Sequence, residues 1–388
     1  MAKDHEFETR AIHTGQGADP TTGATITPVY QTVTFTQDEV GQHKGYEYSR
    51  TGNPTRAALE QCLASLEGGR FGFAYGSGMA AIHGAMQLVS AGDHVVVADD
   101  LYGGTFRLFS EVLPRFGVRF TYVDATQLEE VDKACEPDTK VIWIESPTNP
   151  LLRLVDVAAC GEIASRHGAR LVVDNTFATP YLQNPLVLGA HIVVHSTTKY
   201  IGGHSDVIGG AVVVDDEEVD ERLRFTRNAT GGVPGAWDAW LTLRGLKTLA
   251  IRMREHEANA TRVAAFLRQR PEVARTHYPG LPDHPGHDLA KRQMRGFGGV
   301  VSVDIAGGER VARRLCEATR IFSLAESLGG IESLIGCPFV MSHGAFPAEL
   351  KRRKGISEAT VRLSVGIENP DDLCDDLAQA LERATSTG

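Results

Sequence analysis

Between residues 94 and 214 the chain alternates short β-branched runs with helical patterns, and this alternation restricts the fold more than any other feature. The apolar runs are 94–98, 120–123, 141–144, 171–173, 192–194 and 211–214. Stretches such as 57–66, 79–90, 105–116 and 155–166 carry helical spacing. Strands that take turns with helices predict a mostly parallel sheet covered on both faces, an α/β fold. In such sheets ligands gather at the carboxyl ends of the strands.

The flanks read differently. Residues 1–55 have weak periodicity and many Thr, Gly and Pro, which predicts an extended arm. An irregular segment of that length is uncommon inside a compact domain and is easier to accommodate against a neighbouring subunit. A long helical pattern covers 246–269. A Pro/Gly/His-rich loop (278–287), apolar runs at 298–305 and 361–365, and a last amphipathic helix over 371–384 follow it. The expected organisation is an arm (1–55), a large domain (56–245) and a smaller α+β domain (246–388).

Several function classes are disfavoured. The net charge of −10 argues against nucleic-acid binding. No apolar run approaches the ~18 residues of a membrane span. The polar start predicts no signal peptide, so the cytoplasm is the expected location. Cys62, Cys135, Cys160, Cys316, Cys337 and Cys374 form no C-x-x-C pair. His284 and His287 lack a further ligand at metal spacing, so no metal is expected.

Chemistry concentrates at strand ends. Asp174 follows the run 171–173, and Ser196, Thr198 and Lys199 follow the run 192–194. One strand–helix–strand unit separates the carboxylate from the lysine, which brings both to one sheet edge. A lysine there can form an imine with an aldehyde, provided that burial or nearby positive charge lowers its pKa from ~10.4. The carboxylate can pair with a protonated pyridine nitrogen and keep the ring an electron sink. The hydroxyls beside the lysine can bind a phosphate. A solvated surface pair is the competing reading.

A second site is Tyr75-Gly76-Ser77-Gly78-Met79-Ala80-Ala81, a Gly/Ser turn opening a helix. Helix N-termini present free N–H groups to anions. The same residues fit a dinucleotide fingerprint, with Asp99 or Asp100 as the ribose acid. A nicotinamide dehydrogenase is therefore the alternative, although it leaves Asp174 and Lys199 without a joint role. A helix rather than a strand is expected before the turn, which also speaks against it. Tyr102, just past a strand end, can stack on a flat ring. Arg362, inside an apolar run, needs a buried anionic partner such as a substrate carboxylate.

At these residues the sequence resembles the Cys/Met-metabolism family of pyridoxal-phosphate enzymes. The resemblance covers almost the whole chain. It rests on Tyr46-Glu47-Tyr48-Ser49-Arg50-Thr51-Gly52-Asn53-Pro54-Thr55, Gly76-Ser77-Gly78-Met79-Ala80, Asp100-Leu101-Tyr102-Gly103-Gly104-Thr105, and Glu145-Ser146-Pro147-Thr148-Asn149-Pro150. Asp174-Asn175-Thr176-Phe177, the run 196–205, Ala325-Glu326-Ser327-Leu328-Gly329-Gly330 and Arg362-Leu363-Ser364-Val365-Gly366 complete it. His191 departs from the family signature, which usually has an acid there.

The resemblance implies a fold-type I, aspartate-aminotransferase-like architecture and a homotetramer of active dimers. It implies that Lys199 carries pyridoxal 5'-phosphate and later moves protons. It further implies that Asp174 pairs with the pyridine nitrogen, Tyr102 stacks on the ring, and Gly78, Met79, Ser196 and Thr198 hold the phosphate. Thr176 belongs to the same cofactor set. Tyr48 and Arg50 are expected to reach the phosphate of the neighbouring subunit. Arg362, with Asn149 and Ser327, is expected to hold the substrate α-carboxylate, and Glu326 to face its distal end. The implied activity is γ-elimination of cystathionine, with γ-replacement on an O-acylhomoserine as the alternative. Methionine γ-lyases usually have Cys where Gly104 stands.

Overall fold

The computed structural model describes residues 5–344 and 346–386. Positions 1–4 of the expected arm, and 345, 387 and 388 of the expected C-terminal domain, lie outside the described residues.

A seven-stranded sheet forms the centre. Its strands are β1 (Phe71–Tyr75), β2 (His94–Ala98), β3 (Arg119–Val123), β4 (Thr139–Glu145), β5 (Arg170–Asp174), β6 (Ile192–His195) and β7 (Gly210–Val214). Their spatial order is β1-β7-β6-β5-β4-β2-β3. The ladders β2–β3, β2–β4, β4–β5 and β5–β6 are parallel, while β7 runs antiparallel to both β1 and β6. Helices cover both faces, so β2, β6 and β7 are buried along their whole length. That is why they read as unbroken apolar runs rather than as alternation.

Local signals set the helix ends. Pro54–Glu67 begins with Asn53, whose side chain accepts the N–H groups of Thr55 and Arg56, and it stops at the left-handed Gly68. Asp156 caps Val157–Arg166 by accepting the Ala159 N–H. The pattern over 105–116 is not one helix. It divides into Gly103–Arg107, a wider π turn at Leu108–Val112 and a 3₁₀ turn at Leu113–Phe116, with Pro114 in that last turn.

Strand β1 corrects the expectation of a helix before the Gly/Ser turn. Phe71-Gly72-Phe73-Ala74-Tyr75 contains two weak strand formers. Gly72 is needed because a Cβ there would lie 2.2 Å from the Glu60 carbonyl oxygen. A strand ahead of the turn removes one argument against a dinucleotide site, but the topology supplies a better one. β1 is an edge strand beside antiparallel β7, and Asp99 and Asp100 follow β2, at the far side of the sheet. A dinucleotide site needs the Gly turn and the acid on neighbouring central strands.

A second, five-stranded sheet has the order β10-β11-β12-β9-β8. It comprises β8 (Val273–His277), β9 (Val300–Ile305), β10 (Ser323–Leu324), β11 (Leu334–Gly336) and β12 (Thr360–Ser364). Leu249–Arg268, Gly308–Ala318 and Pro370–Thr385 pack on it around Val301, Val303, Leu315, Leu363 and Leu377, all buried. Within the segment read as an extended arm, Phe7–His13 forms a helix whose Phe7 and Ala11 join the core beside Cys62. Further along, the arm is largely exposed, with Ile26, Val33 and Val40 facing outward. The arm is tied at its root, where Tyr30 N–H donates to Thr55 Oγ1 and Trp240 Nε1 donates to the Thr27 carbonyl.

Candidate active site

The carboxyl ends of β4, β5 and β6 open into a cavity of about 440 Å³. Lys199, Asp174, Thr176, Ser196, Thr198, Gly78, Met79, Tyr102, Asn149, Glu326, Ser327 and Arg362 all line it. The sequence motifs thus converge on one place, and its walls have different origins. The large sheet supplies one wall. The loop 325–330 and β12 supply the other.

On the first wall, Asp174 ends β5 and is nearly buried. Its Oδ1 accepts the Thr176 N–H at 3.0 Å and the Thr176 hydroxyl at 2.6 Å. Thr176 Oγ1 in turn accepts the Ser196 N–H at 2.8 Å. Burial raises the Asp174 pKa, and the two bonds from Thr176 oppose that rise. Ser77 caps Gly78–Met86, its hydroxyl accepting the Ala80 N–H at 3.0 Å. A Cβ on Gly78 would stand 2.7 Å from the Ser196 Cβ, so only glycine lets the helix end and the Ser196 turn close into one cup. Thr198 Oγ1 donates to the Gly209 carbonyl and accepts the Gly209 N–H.

Lys199 sits between the walls. Its Nζ donates to Ser327 Oγ at 2.7 Å. Burial, and secondarily the Arg362 charge, lower its pKa to about 8. A neutral amine is therefore accessible near neutrality, as imine formation requires.

On the second wall, Arg362 is buried in β12 and donates to Asn149 Oδ1 at 3.0 Å and to the Ser327 carbonyl at 2.7 Å. Burial lowers its pKa. Among the described residues it has no carboxylate partner within ion-pair distance, which leaves its charge available to an entering anion. Ser327 holds a left-handed backbone at φ 88°, a conformation that costs a non-glycine residue ~1–3 kcal/mol. Gly329 N–H donates to Ser364 Oγ at 2.8 Å and braces the loop.

Tyr102 precedes the short helix Gly103–Arg107, and its N–H donates to Glu145 Oε2 at 2.9 Å. A Cβ at Gly104 would come within 2.4 Å of the Tyr102 ring. Tyr48 and Arg50 are not in this chain's cavity. They are exposed on the arm, with the Arg50 guanidinium 5.5 Å over the Tyr48 ring. His191 stands at the opposite end of β6 from Lys199. Burial lowers its pKa, and its Nδ1 accepts the Leu171 N–H at 3.0 Å. The departure from the signature is remote from the cavity.

Sequence reasoning assigned no role to Arg107, Glu145, Phe177, Ile208, Met341 or Ser342, which also line the cavity. Glu145 had a visible signal, because it ends the run 141–144 as Asp174 ends 171–173.

A half-buried lysine with a lowered pKa, a carboxylate one strand away and a Gly/Ser/Thr cup at a helix N-terminus fit a phosphorylated pyridine aldehyde. The fold and this site define a pyridoxal-phosphate enzyme of fold type I. The sequence matches the family described as Cys/Met metabolism PLP-dependent enzyme over residues 8–382. It is 52% identical to a cystathionine γ-lyase of Bacillus subtilis over 97% of this chain and 99% of that one. It is 54% identical to a cystathionine γ-synthase of Mycobacterium bovis over 96% of each. The crystal structure of cystathionine γ-lyase from Lactobacillus plantarum complexed with L-serine superposes with a TM-score of 0.96 at 47% identity, over 99% of this chain and 100% of that one. The chain belongs to the Cys/Met-metabolism family of pyridoxal-phosphate-dependent enzymes. Among the described residues no helix is long and apolar enough to cross a membrane.

Proposed function

We propose that the protein catalyses γ-elimination of L-cystathionine to L-cysteine, 2-oxobutanoate and ammonia. The observation that carries this reading is the charge layout of the substrate wall. Arg362 offers one buried cation for an α-carboxylate, while Glu326 and Arg107 line the same cavity with opposite charges. Cystathionine carries an amino-acid group at each end, so its distal ammonium and carboxylate match Glu326 and Arg107.

In this reading pyridoxal phosphate, when bound, supplies the electron sink for the carbanion at Cα. Lys199 Nζ would hold it, and as a neutral amine Lys199 is placed to take the substrate's α-proton. Asp174 keeps the pyridine nitrogen protonated. Gly78, Met79, Ser196 and Thr198 hold the phosphate, and Thr176 fixes the Asp174 carboxylate. Tyr102 covers the ring. Arg362, Asn149 and Ser327 orient the α-carboxylate. In the net reaction the Cγ–S bond breaks, the sulfur leaves with a proton as cysteine, and one water converts the remaining four-carbon unit to 2-oxobutanoate and ammonia. Tyr48 and Arg50 reach the phosphate site of a neighbouring subunit in a homotetramer of active dimers, which accounts for an arm with an exposed apolar surface.

The high identity to a γ-synthase supports a second reading, γ-replacement on an O-acylhomoserine by cysteine. Incubation with L-cystathionine alone separates the two. Cysteine with 2-oxobutanoate is the expected outcome. Little turnover, followed by cystathionine formation from an O-acylhomoserine and cysteine, establishes the synthase. Homocysteine with pyruvate means β-elimination and overturns both.

A further inference from the structure

Glu145 occupies an unusual position for a carboxylate. It ends β4 and is the direct register partner of Asp174 on β5. In a parallel ladder, register partners sit on neighbouring strands ~4.8 Å apart with side chains on the same face. Both line the cavity and both are nearly buried. Among the described residues, neither has a lysine or arginine within ion-pair distance. The titratable groups around Glu145 are mostly acidic or neutral: Asp174 from β5, Asp100 from the segment after β2, and Tyr102 just beyond it. His195 faces Asp174 and pairs through Nε2 with Glu67 at 2.5 Å. The cations that line the cavity are Lys199, Arg362 and Arg107.

Two carboxyls in such contact do not both ionise readily, because each negative charge opposes the other and burial opposes both. A pyridinium nitrogen beside Asp174 favours the charge there and leaves Glu145 to keep the proton. Burial first, and then the charge of Asp174, raise the Glu145 pKa well above the carboxylate range. A neutral carboxyl still accepts hydrogen bonds through its carbonyl oxygen. Glu145 Oε2 accepts the Tyr102 N–H at 2.9 Å, at the start of the short helix Gly103–Arg107. Tyr102 is 40% exposed; its carbonyl also accepts the Phe106 N–H at 3.0 Å, so the Glu145 bond helps fix the backbone from which the ring projects.

We propose that Glu145 is a positioning residue for Tyr102, acting as a neutral hydrogen-bond acceptor and leaving Asp174 as the charged carboxyl at the cofactor ring. This rests on the cofactor placement given under Proposed function. Nothing is transferred through Glu145. Its acceptor oxygen holds the tyrosine over the ring, and its missing charge leaves the Asp174–pyridinium pair unperturbed.

The test compares the holoenzyme with E145Q, which keeps a neutral carbonyl acceptor, and E145L, which has none. Borohydride reduction and peptide mapping come first. Label on a residue other than Lys199 removes the placement on which the inference rests, whatever the variants do. With label on Lys199, E145L is expected to lose about thirtyfold or more in kcat and to weaken the visible circular dichroism of the bound cofactor. E145Q is expected to lose no more than about fivefold. It should also titrate the cofactor absorbance at the same pH as wild type to within about 0.3 unit. In a Y102A background, E145L should add less than twofold. The inference is overturned if E145Q is as impaired as E145L with a displaced spectral titration, since the charge then matters. It is also overturned if E145L matches wild type, or if its full loss persists without Tyr102. Equal far-UV circular dichroism and cofactor content establish that the variants compared are folded.

Discussion

The two walls of the cavity are built on different principles. The wall from the large sheet consists of strand ends: Asp174, Ser196 and Glu145 each terminate or follow a buried parallel strand, and hydrogen bonds link Asp174 through Thr176 to Ser196. The opposite wall is a loop and one strand of the smaller sheet. It carries a strained Ser327, an exposed Glu326 and a buried Arg362 whose partners are all neutral. Parallel strands in register place side chains reproducibly. A loop held in a left-handed turn can vary its side chains without disturbing the sheet. Under the proposed roles the groups that handle the cofactor stand on the first kind of wall, while substrate contacts are shared between Arg362 and Glu326 on the second and Asn149 and Arg107 beside the first.

The division can be broken at its strongest point first. K199A is expected to lose on the order of 10⁴-fold in kcat, because a nucleophile and proton carrier disappears together. A K199A protein with near-normal turnover would remove the chemistry from the sheet wall. R362L tests the other wall. Leaving a substrate carboxylate unpaired costs about 3 kcal/mol, or about 10²-fold in kcat/KM. Cofactor content should stay unchanged, since the proposed role of Arg362 is to hold substrate, while loss of its charge should move the Lys199 pKa upward. Loss of bound cofactor with intact KM would merge the two walls.

The mildest effect is one of pH. The Lys199 pKa is lowered to about 8, so its reactive neutral amine accumulates at lower pH than that of a free lysine. Reconstitution of cofactor-free protein, followed by visible absorbance, should quicken about tenfold per pH unit below about 8 and level off above it. The direction follows from burial, which penalises the ammonium form. A rate still climbing at pH 10 would mean that the lysine is solvated and that the sheet wall does not activate it.

The sequence displayed the first wall more clearly than the second. Fully buried strands leave continuous apolar runs, so Asp174 and Lys199 could be placed on one edge from spacing alone. Strand β1 escaped because Gly72 and Ala74 interrupt its pattern, and the glycine answers to a backbone contact with Glu60 that no local rule reveals. Strands β10 and β11 are two and three residues long and have no periodicity to read. Arg362 was legible as a misplaced charge in an apolar run. Arg107 stands on the short helix Gly103–Arg107, which has no pattern pointing at the cavity, and Glu145, although visible at a strand end, gains relevance only from its pairing with Asp174. The helix Phe7–His13 was missed inside a polar segment where only Phe7 and Ala11 are buried.

The register of β4, β5 and β6 gives the site a built-in ruler. Glu145, Asp174 and Val194 lie side by side on consecutive strands, with Lys199 a few residues beyond. Neighbouring strands stand ~4.8 Å apart, of the same order as the span of a six-membered aromatic ring. The interval between a group that grips one edge of such a ring and a group that bonds across it is thus measured in strand spacings. A slip of β5 by one residue would turn Asp174 to the opposite face and leave the ruler without its mark.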